Sequence, residues 1–252
     1  LEVIVVDDGS TDGTGEIAGS FAEADGRVRI LRYWFPKAIE PGQPAPERWI
    51  KNPLYYWMAG RAVARRARRL GLEILHAQNS YVQAPVWFAA RRLGLPCIAT
   101  IRDLGSLCSV GHLAGVGHDP EHVCTEGFAR CRQGFVEAYF PDESPWFRFR
   151  LGIDLRLKEF DVRWRQRILQ NYAKVIFVSH GLRDVYQRHG VPLPDGATDV
   201  VYNLPPQPEE VEIAAELPKE WRLPESAPIV SFAGRMTLGK GRQPFESAGL
   251  VP

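Results

Sequence analysis

Alternating apolar strands and amphipathic helices constrain the fold of this chain more than any other feature of its sequence. In EILHAQNSYVQAPVWFAARRLGLPCIATIRDLG, residues 73–77 predict a strand, 81–93 a helix and 96–101 a second strand. Units of this length are typical of a doubly wound parallel sheet, in which ligands bind at the carboxyl ends of the strands. We therefore predict an α/β, Rossmann-like fold with functional residues near 76–80 and 102–106.

The charge balance and hydropathy of the chain exclude several classes of protein. The formal net charge is +1 over 252 residues, of which 45% are apolar, so the sequence indicates a folded chain without the positive charge of a nucleic-acid-binding protein. No apolar run approaches the roughly 18 residues that span a bilayer, and the given sequence shows no signal-peptide pattern of a basic start and an apolar centre, so we expect a cytoplasmic location. The Arg- and aromatic-rich stretch at 144–179 has helical spacing, which favours an amphipathic helix over a nucleic-acid surface.

Residues 1–32 predict a further β–α–β unit. Residues 3–6 and 27–31 read VIVV and RVRIL, which favour two strands around a helix. Because such a crossover is right-handed, the strands should be parallel in one sheet. Parallel units of this kind are geometrically alike, so we also expect the strand at 3–6 to pair beside the strand at 73–77 or its neighbour.

The motif EVIVVDDGSTDGT in this unit resembles an early strand and turn of the family 2 glycosyltransferases, which have the GT-A fold, although the strand that precedes it in that family is missing here. The resemblance implies that Asp7 or Asp8 contacts the nucleotide of a sugar donor. That family holds a divalent metal with an Asp-x-Asp turn, because paired carboxylates suit Mg²⁺ or Mn²⁺. No Asp-x-Asp occurs in the chain, so the alternative is that the unit serves only as scaffold.

Residues 33–53 are rich in proline and predict an irregular loop, and the spacing from residue 54 predicts an amphipathic helix. Its predicted packing face contains Leu54, Trp57, Met58, Ala62, Val63 and Leu70. Its other face contains Arg61, Arg65, Arg66, Arg68 and Arg69. A basic face of this kind is either solvated or binds phosphate or an anionic membrane surface, so peripheral membrane contact stays an alternative.

Several motifs in order resemble glycosyltransferase family 4, whose GT-B fold has two facing Rossmann-like domains. EILHAQN, PCIATIRD, AKVIFVSHGLRDVYQRHGV and DVVYNLPP are similar to its first domain, and VSFAGRMTLGKG is similar to the opening of its second. The resemblance implies hexosyl transfer from a nucleotide-sugar to a glycan or lipid acceptor, with retained anomeric configuration and no required cofactor. It also implies that the donor diphosphate is bound by Gly234, Arg235, Lys240 and Gly241, since a guanidinium and an ammonium can neutralise a leaving phosphate without a metal.

Four residues are assigned to the acceptor side of the crevice, while the catalytic residues are left unassigned. Arg102 stands where the family often has His and cannot act as a base, so we interpret it as an anion or acceptor contact held by Asp103. A structural ion pair between the two is the alternative. Ser179 precedes a helix, where it either caps the helix or borders an anion site. Asn203 lies in the segment that resembles the interdomain connection.

Cys108, Cys124 and Cys131 occur among three histidines, a composition that can bind zinc. The spacing lacks a C-x-x-C knuckle, so the alternative is a set of reduced cysteines in a cytoplasmic protein.

The domain boundaries follow from these motifs. We predict a GT-A-like segment, a Pro-rich loop, an acceptor-side domain, a linker and the truncated start of a donor-binding domain, at 1–32, 33–53, 54–205, 206–224 and 225–252. The Glu-x7-Glu motif of family 4 does not follow the Gly-Lys-Gly loop, so we expect weak activity or none from this chain alone. The alternatives are a non-catalytic module that binds an acceptor or anion, and a remnant of a family 2 glycosyltransferase.

Overall fold

The computed structural model describes residues 2–7, 13–32, 52–109 and 129–204, in which strands and helices alternate. The elements in chain order are β1 (Val3–Asp7), α1 (Thr14–Ala24), β2 (Val28–Arg32), α2 (Pro53–Leu70), β3 (Leu75–Ala77), α3 (Gln83–Leu93), β4 (Cys97–Ile101), α4 (Ala129–Tyr139), α5 (Pro145–Leu169), β5 (Lys174–Phe177), α6 (His180–Arg188) and β6 (Thr198–Val200).

A four-stranded parallel sheet in the order β3–β4–β5–β6 forms the centre of the fold. Its register pairs Leu75 with Cys97, Ile98 with Lys174, and Val175 with Thr198. The side chains of Ala77, Ala99, Val175 and Phe177 are wholly buried, as the short apolar runs of a sheet covered on both faces require. The predicted α/β, Rossmann-like fold is confirmed.

β1 and β2 form a parallel sheet of their own, with five residue pairs from Val3–Val28 to Asp7–Arg32. The parallel β–α–β unit predicted within residues 1–32 is therefore present. The expected pairing of residues 3–6 with the strand at 73–77 or its neighbour is not found among the described residues, where β1 pairs with β2 and β3 pairs with β4. No residue of α1 is buried.

α2 packs through small residues, so the predicted packing face is wrong at four positions. Leu54, Trp57, Met58 and Leu70 are exposed, while Tyr56, Ala59, Gly60, Ala64 and Ala67 are buried with the predicted Ala62. The reason is the close approach of α2 to α3. A Cβ at Gly60 would lie 2.7 Å from the Cβ of Phe88 and 3.0 Å from the carbonyl oxygen of Pro85. Large side chains do not fit between these backbones.

The C-terminal half of α5 completes the core against the sheet. Ile168, Leu169 and the following Tyr172 are buried in the same apolar cluster as β4 and β5. The hydroxyl of Tyr172 donates to the carbonyl oxygen of Gln83 at 2.6 Å, which joins α5 to the start of α3. None of the helices in the described ranges is both long and apolar enough to span a bilayer.

Candidate functional site

The carboxyl ends of the four central strands meet at one edge of the sheet. Backbone bonds continue to this edge, from Val178 N to the oxygen of Ile101 and from Val201 N to the oxygen of Phe177. Parallel pairing therefore brings together the residues that follow β3, β4, β5 and β6. Arg102, Asp103, Ser179 and Asn203, the four predicted crevice residues, all follow these strands. We refer to this region as the crevice edge.

A chain of polar side chains links the ends of β3 and β4. His76 Nε2 lies 2.8 Å from Thr100 Oγ1, and the amide nitrogen of Gln78 lies 3.2 Å from His76 Nδ1. Arg102 donates to Gln78 Oε1 at 3.4 Å. A ring protonated only on Nε2 satisfies both contacts of the imidazole, since it donates to Thr100 and accepts from Gln78.

The surroundings of the His76 ring keep it neutral near pH 7. Burial lowers the pKa of His76 from 6.5, and the positive charge of Arg102 lowers it further. The imidazole therefore offers one donor and one acceptor, while Arg102 supplies the positive charge.

Asp103 has a different role from the one predicted. Its Oδ1 accepts from the backbone N of Gly105 at 2.7 Å, and a Cβ at Gly105 would lie 2.8 Å from the same oxygen. The carboxylate thus shapes the turn after β4 and does not hold Arg102. Within the part of the chain that the structure describes, Arg102 has no carboxylate partner, so neither the predicted Asp103 contact nor the alternative ion pair forms.

A buried guanidinium holds the loops that follow β3 and β4. Arg165 of α5 donates to Asp161 Oδ2 at 3.0 and 2.7 Å, and to the carbonyl oxygen of Gly105 at 2.8 Å. It also donates to Ser106 Oγ at 3.0 Å and to the oxygen of Ser80 at 3.4 Å. Both charged side chains are almost fully buried. A buried guanidinium is costly unless each N–H group has an acceptor, and all five N–H groups of Arg165 have one.

Two tyrosines extend this network. Tyr56 of α2 donates to the second oxygen of Asp161, and burial followed by the negative charge of Asp161 holds the pKa of its phenol well above the usual value. Tyr186 of α6, wholly buried, donates to the carbonyl oxygen of Asp103 at 2.9 Å. The loop after β4 is thus tied to α5 and α6, while Arg165 also ties the loop after β3.

The N-terminus of α6 borders the crevice edge after β5. Ser179 caps the helix, since its Oγ accepts from Leu182 N at 3.2 Å. The capping alternative for Ser179 is therefore confirmed. The ring of His180 meets that of Tyr202 edge to face at 5.9 Å, which places the exposed segment of Asn203 beside the start of this helix.

Several predicted site residues lie outside the described ranges: Asp8, Cys124, Gly234, Arg235, Lys240 and Gly241. Asp7 is described as the last residue of β1. Cys108 is buried in an apolar cluster with Val136 and Leu155, and Cys131 is buried in α4. The described ranges contain no group of three or more potential metal ligands. Because Cys124 lies outside the described ranges, the zinc alternative stays a prediction.

Sequence reasoning included Gln78 in the predicted range 76–80 without assigning it a role, and it missed Thr100. Thr100 lies within β4, two residues before Arg102, and this alternate spacing could have indicated the crevice edge. Asp161, Arg165 and Tyr56 gave a weaker signal. The spacing of Asp161 and Arg165 fits an i,i+4 ion pair on any exposed helix, and nothing local reveals that this pair is buried.

The comparisons with known proteins bear on this architecture. The sequence model described as Glycosyltransferase Family 4 matches residues 8–204. The chain belongs to glycosyltransferase family 4. The family 4 match includes α1 and β2, the part of the chain for which a family 2 resemblance was also noted; that second resemblance stays a prediction.

Solved structures and curated sequences add little to the family assignment. The chain is similar to UGT73P12 of Glycyrrhiza uralensis, crystallised with glycyrrhetinic acid 3-O-monoglucuronide, with a TM-score of 0.40 and 12% identity. The alignment covers 81% of this chain and 43% of that protein, so the family 4 chain spans less than half the length of this neighbour. No curated protein sequence matches it.

Proposed function

We propose that the described residues are the acceptor-side domain of a family 4 hexosyltransferase, which moves a sugar from a nucleotide-sugar to a glycan or lipid acceptor. The observation that carries the proposal is the polar chain of His76, Gln78, Thr100 and Arg102 at the crevice edge. These groups come from two neighbouring strands and present donors, an acceptor and a cation together. Such a set suits an acceptor that bears hydroxyl groups and a negative charge.

The described side chains bind and orient rather than exchange protons. Arg102 cannot lose its proton near neutral pH, and His76 is neutral with both nitrogens occupied. Among the described residues, Arg102 has only a long contact to Gln78, so its guanidinium is available for a phosphate or carboxylate. The exposed Asn203 offers a further amide at the same edge.

The donor side of the proposal depends on the resemblance to family 4. Gly234, Arg235, Lys240 and Gly241 would bind the diphosphate, and the two cations would stabilise the charge on the leaving group without a metal. These residues lie outside the described ranges.

A transfer assay tests the proposal. The full chain is incubated with a panel of nucleotide-sugars and with sugar or lipid acceptors that carry or lack a phosphate, and nucleotide release is measured. We expect Arg235→Ala to abolish release with every donor, because it removes diphosphate binding. Arg102→Ala should raise KM for the charged acceptor about tenfold or more, as expected when a charged hydrogen bond is lost. Arg188→Ala, an exposed change at the end of α6, is the control.

A non-catalytic binding module is the second candidate. It is favoured by the chemistry of the described crevice edge, where Gln78, Thr100 and Arg102 are binding groups. Calorimetry separates the two functions: a module binds a charged acceptor through Arg102 but gives no binding of any nucleotide-sugar and no turnover. An enzyme binds both ligands and loses donor binding alone in Arg235→Ala.

A further inference from the structure

α5 presents apolar side chains on two opposite faces. One face packs inward, where Leu155, Val162 and Leu169 are buried. The other face is exposed and consists of Trp146, Phe149, Ile153, Leu157 and Phe160. We call these five exposed residues the α5 stripe. A helix that is apolar on both sides needs a second apolar environment besides its own core.

The α5 stripe is continuous and well exposed. Its members are spaced by three, four, four and three residues, which places them along one side of the helix over about 21 Å. Their exposed fractions are 66%, 59%, 44%, 47% and 59% in chain order. Single exposed apolar residues are ordinary, but five aligned large ones indicate an interaction surface.

Exposed arginines border the stripe. Arg150 and Arg156 lie within the same turns of the helix. Of the three acidic residues of α5, Glu159 pairs with Arg132 at 2.6 Å and Asp161 is buried against Arg165, while Asp154 lies four residues after Arg150. Along the stripe, the exposed arginines of α5 therefore outnumber the carboxylates that are not already paired.

α2 adds a second surface of the same composition. The stripe is followed along α5 by Trp164, whose ring stacks on Tyr56 of α2 at 5.2 Å. The exposed face of α2 begins with Leu54, Trp57 and Met58, and Arg61 lies over the ring of Trp57 at 4.8 Å. It continues with Arg65, Arg68 and Arg69.

We propose that the α5 stripe and the exposed face of α2 bind an anionic lipid bilayer, with α5 lying along the membrane surface. Aromatic and aliphatic side chains beside arginines are the composition of helices that lie in the interface of an anionic membrane. Arginine also places its charge at the phosphate level while its stem covers apolar surface. A second copy of the chain fits less well, because a symmetric α5–α5 contact would bring Arg150 and Arg156 of both copies together.

Vesicle sedimentation tests this surface with the full chain. The probes are vesicles of equimolar phosphatidylglycerol and phosphatidylcholine, and vesicles of phosphatidylcholine alone. The chain should bind the anionic vesicles and not the neutral ones, and should be released as salt rises from about 0.1 M to about 1 M. Ile153→Ser with Leu157→Ser and Phe160→Ser should weaken binding about tenfold or more. Arg150→Gln with Arg156→Gln should weaken it on the order of 25-fold.

Matched control variants distinguish binding through this surface from nonspecific adsorption to the vesicles. Ile17→Ser with Phe21→Ser removes two apolar residues of α1 that are 63% and 65% exposed, and Arg92→Gln with Arg188→Gln removes two exposed arginines of other helices. Both controls should bind like the unchanged chain.

Four outcomes would overturn the proposal. They are absence of binding to anionic vesicles, equal and salt-insensitive binding to neutral vesicles, and a dimer in sedimentation velocity that the stripe variant abolishes. The fourth is a clear loss of thermal stability in the stripe variant, which would show that the stripe packs within the chain.

Discussion

At the scale of single residues, Arg165 uses all five of its N–H donors, on Asp161, Ser106 and the carbonyl oxygens of Gly105 and Ser80. Three of these contacts reach the loops after β3 and β4, and the two contacts to Asp161 hold the guanidinium in place. This bonding compensates the cost of removing the guanidinium from water.

Removing one partner of the buried Arg165–Asp161 ion pair should strongly destabilise the folded chain. Arg165→Leu leaves the carboxylate of Asp161 buried with Tyr56 as its one donor in the described ranges, so we expect a loss of about 3–5 kcal/mol in the free energy of unfolding. Urea denaturation measures the loss. The double variant Asp161→Leu with Arg165→Leu should be less destabilised than Arg165→Leu alone. If the two effects simply add, the pair is not coupled and the interpretation is wrong.

His76 should make the folded state sensitive to acid. Its pKa in the folded state lies below 6.5 because of burial and Arg102. Between that value and 6.5 the unfolded chain binds more protons than the folded chain, so stability falls as the pH falls through this window. The pH profile of His76→Gln should lack this component, as measured by urea unfolding. The titration midpoint of the His76 ring by NMR should rise in Arg102→Gln, and an unchanged midpoint would exclude the charge effect.

At the scale of elements, the contact between α2 and α3 depends on the missing side chain of Gly60. Ala is normally the better helix former by about 1 kcal/mol. The close backbone and the Phe88 side chain should reverse that preference, so Gly60→Ala is expected to destabilise the chain by about 1–3 kcal/mol. Thermal denaturation checks this.

Gly152→Ala in α5 is the matched control. Apart from the neighbouring backbone of α5, no atom of the described residues lies within 4 Å of the added Cβ, so the substitution should stabilise the chain by about 0.5–1 kcal/mol. Equal effects of the two substitutions would contradict the close approach of α2 and α3.

The cap of α6 matters because the helix has nine residues and only Tyr186 is buried in it. Ser179→Ala should cost about 1 kcal/mol by freeing the N–H of Leu182. Amide exchange should quicken in α6 first, while β4 keeps its protection. Ser179→Asp, which preserves an acceptor for the cap, should restore most of the stability.

The elements were easier to predict than their packing. Apolar runs such as VIFV and the turn glycines identified the strands and helix ends, because those signals are local. The packing face of α2 was mispredicted because large apolar residues were weighted above alanines, although here small size is what the contact needs. The bond from Arg165 to Gly105 joins residues 60 apart in sequence, and such distant partners leave no local pattern.

At the scale of the whole molecule, the two parallel sheets differ in how well they are covered. β4 and β5 contain several wholly buried side chains, whereas Val3 and Val5 of β1 are 45% and 40% exposed. The described residues show no hydrogen bond between the sheets.

Hydrogen exchange should therefore resolve two levels of protection. Amides of β4 and β5 are expected to exchange only through global unfolding, and those of β1 and β2 at least about tenfold faster through local opening. Mass spectrometry of peptides from both regions measures the difference. Matching rates would show that the two sheets unfold as one unit.

α5 is one continuous helix of 25 residues, and it contains both Arg165 and the α5 stripe. From Ile153 to Arg165 the helix rises about 18 Å. In the proposed membrane-bound state, contact of the first half of α5 with the bilayer would therefore set the height and tilt of the crevice edge. Attachment and positioning of the crevice edge would then depend on one and the same helix.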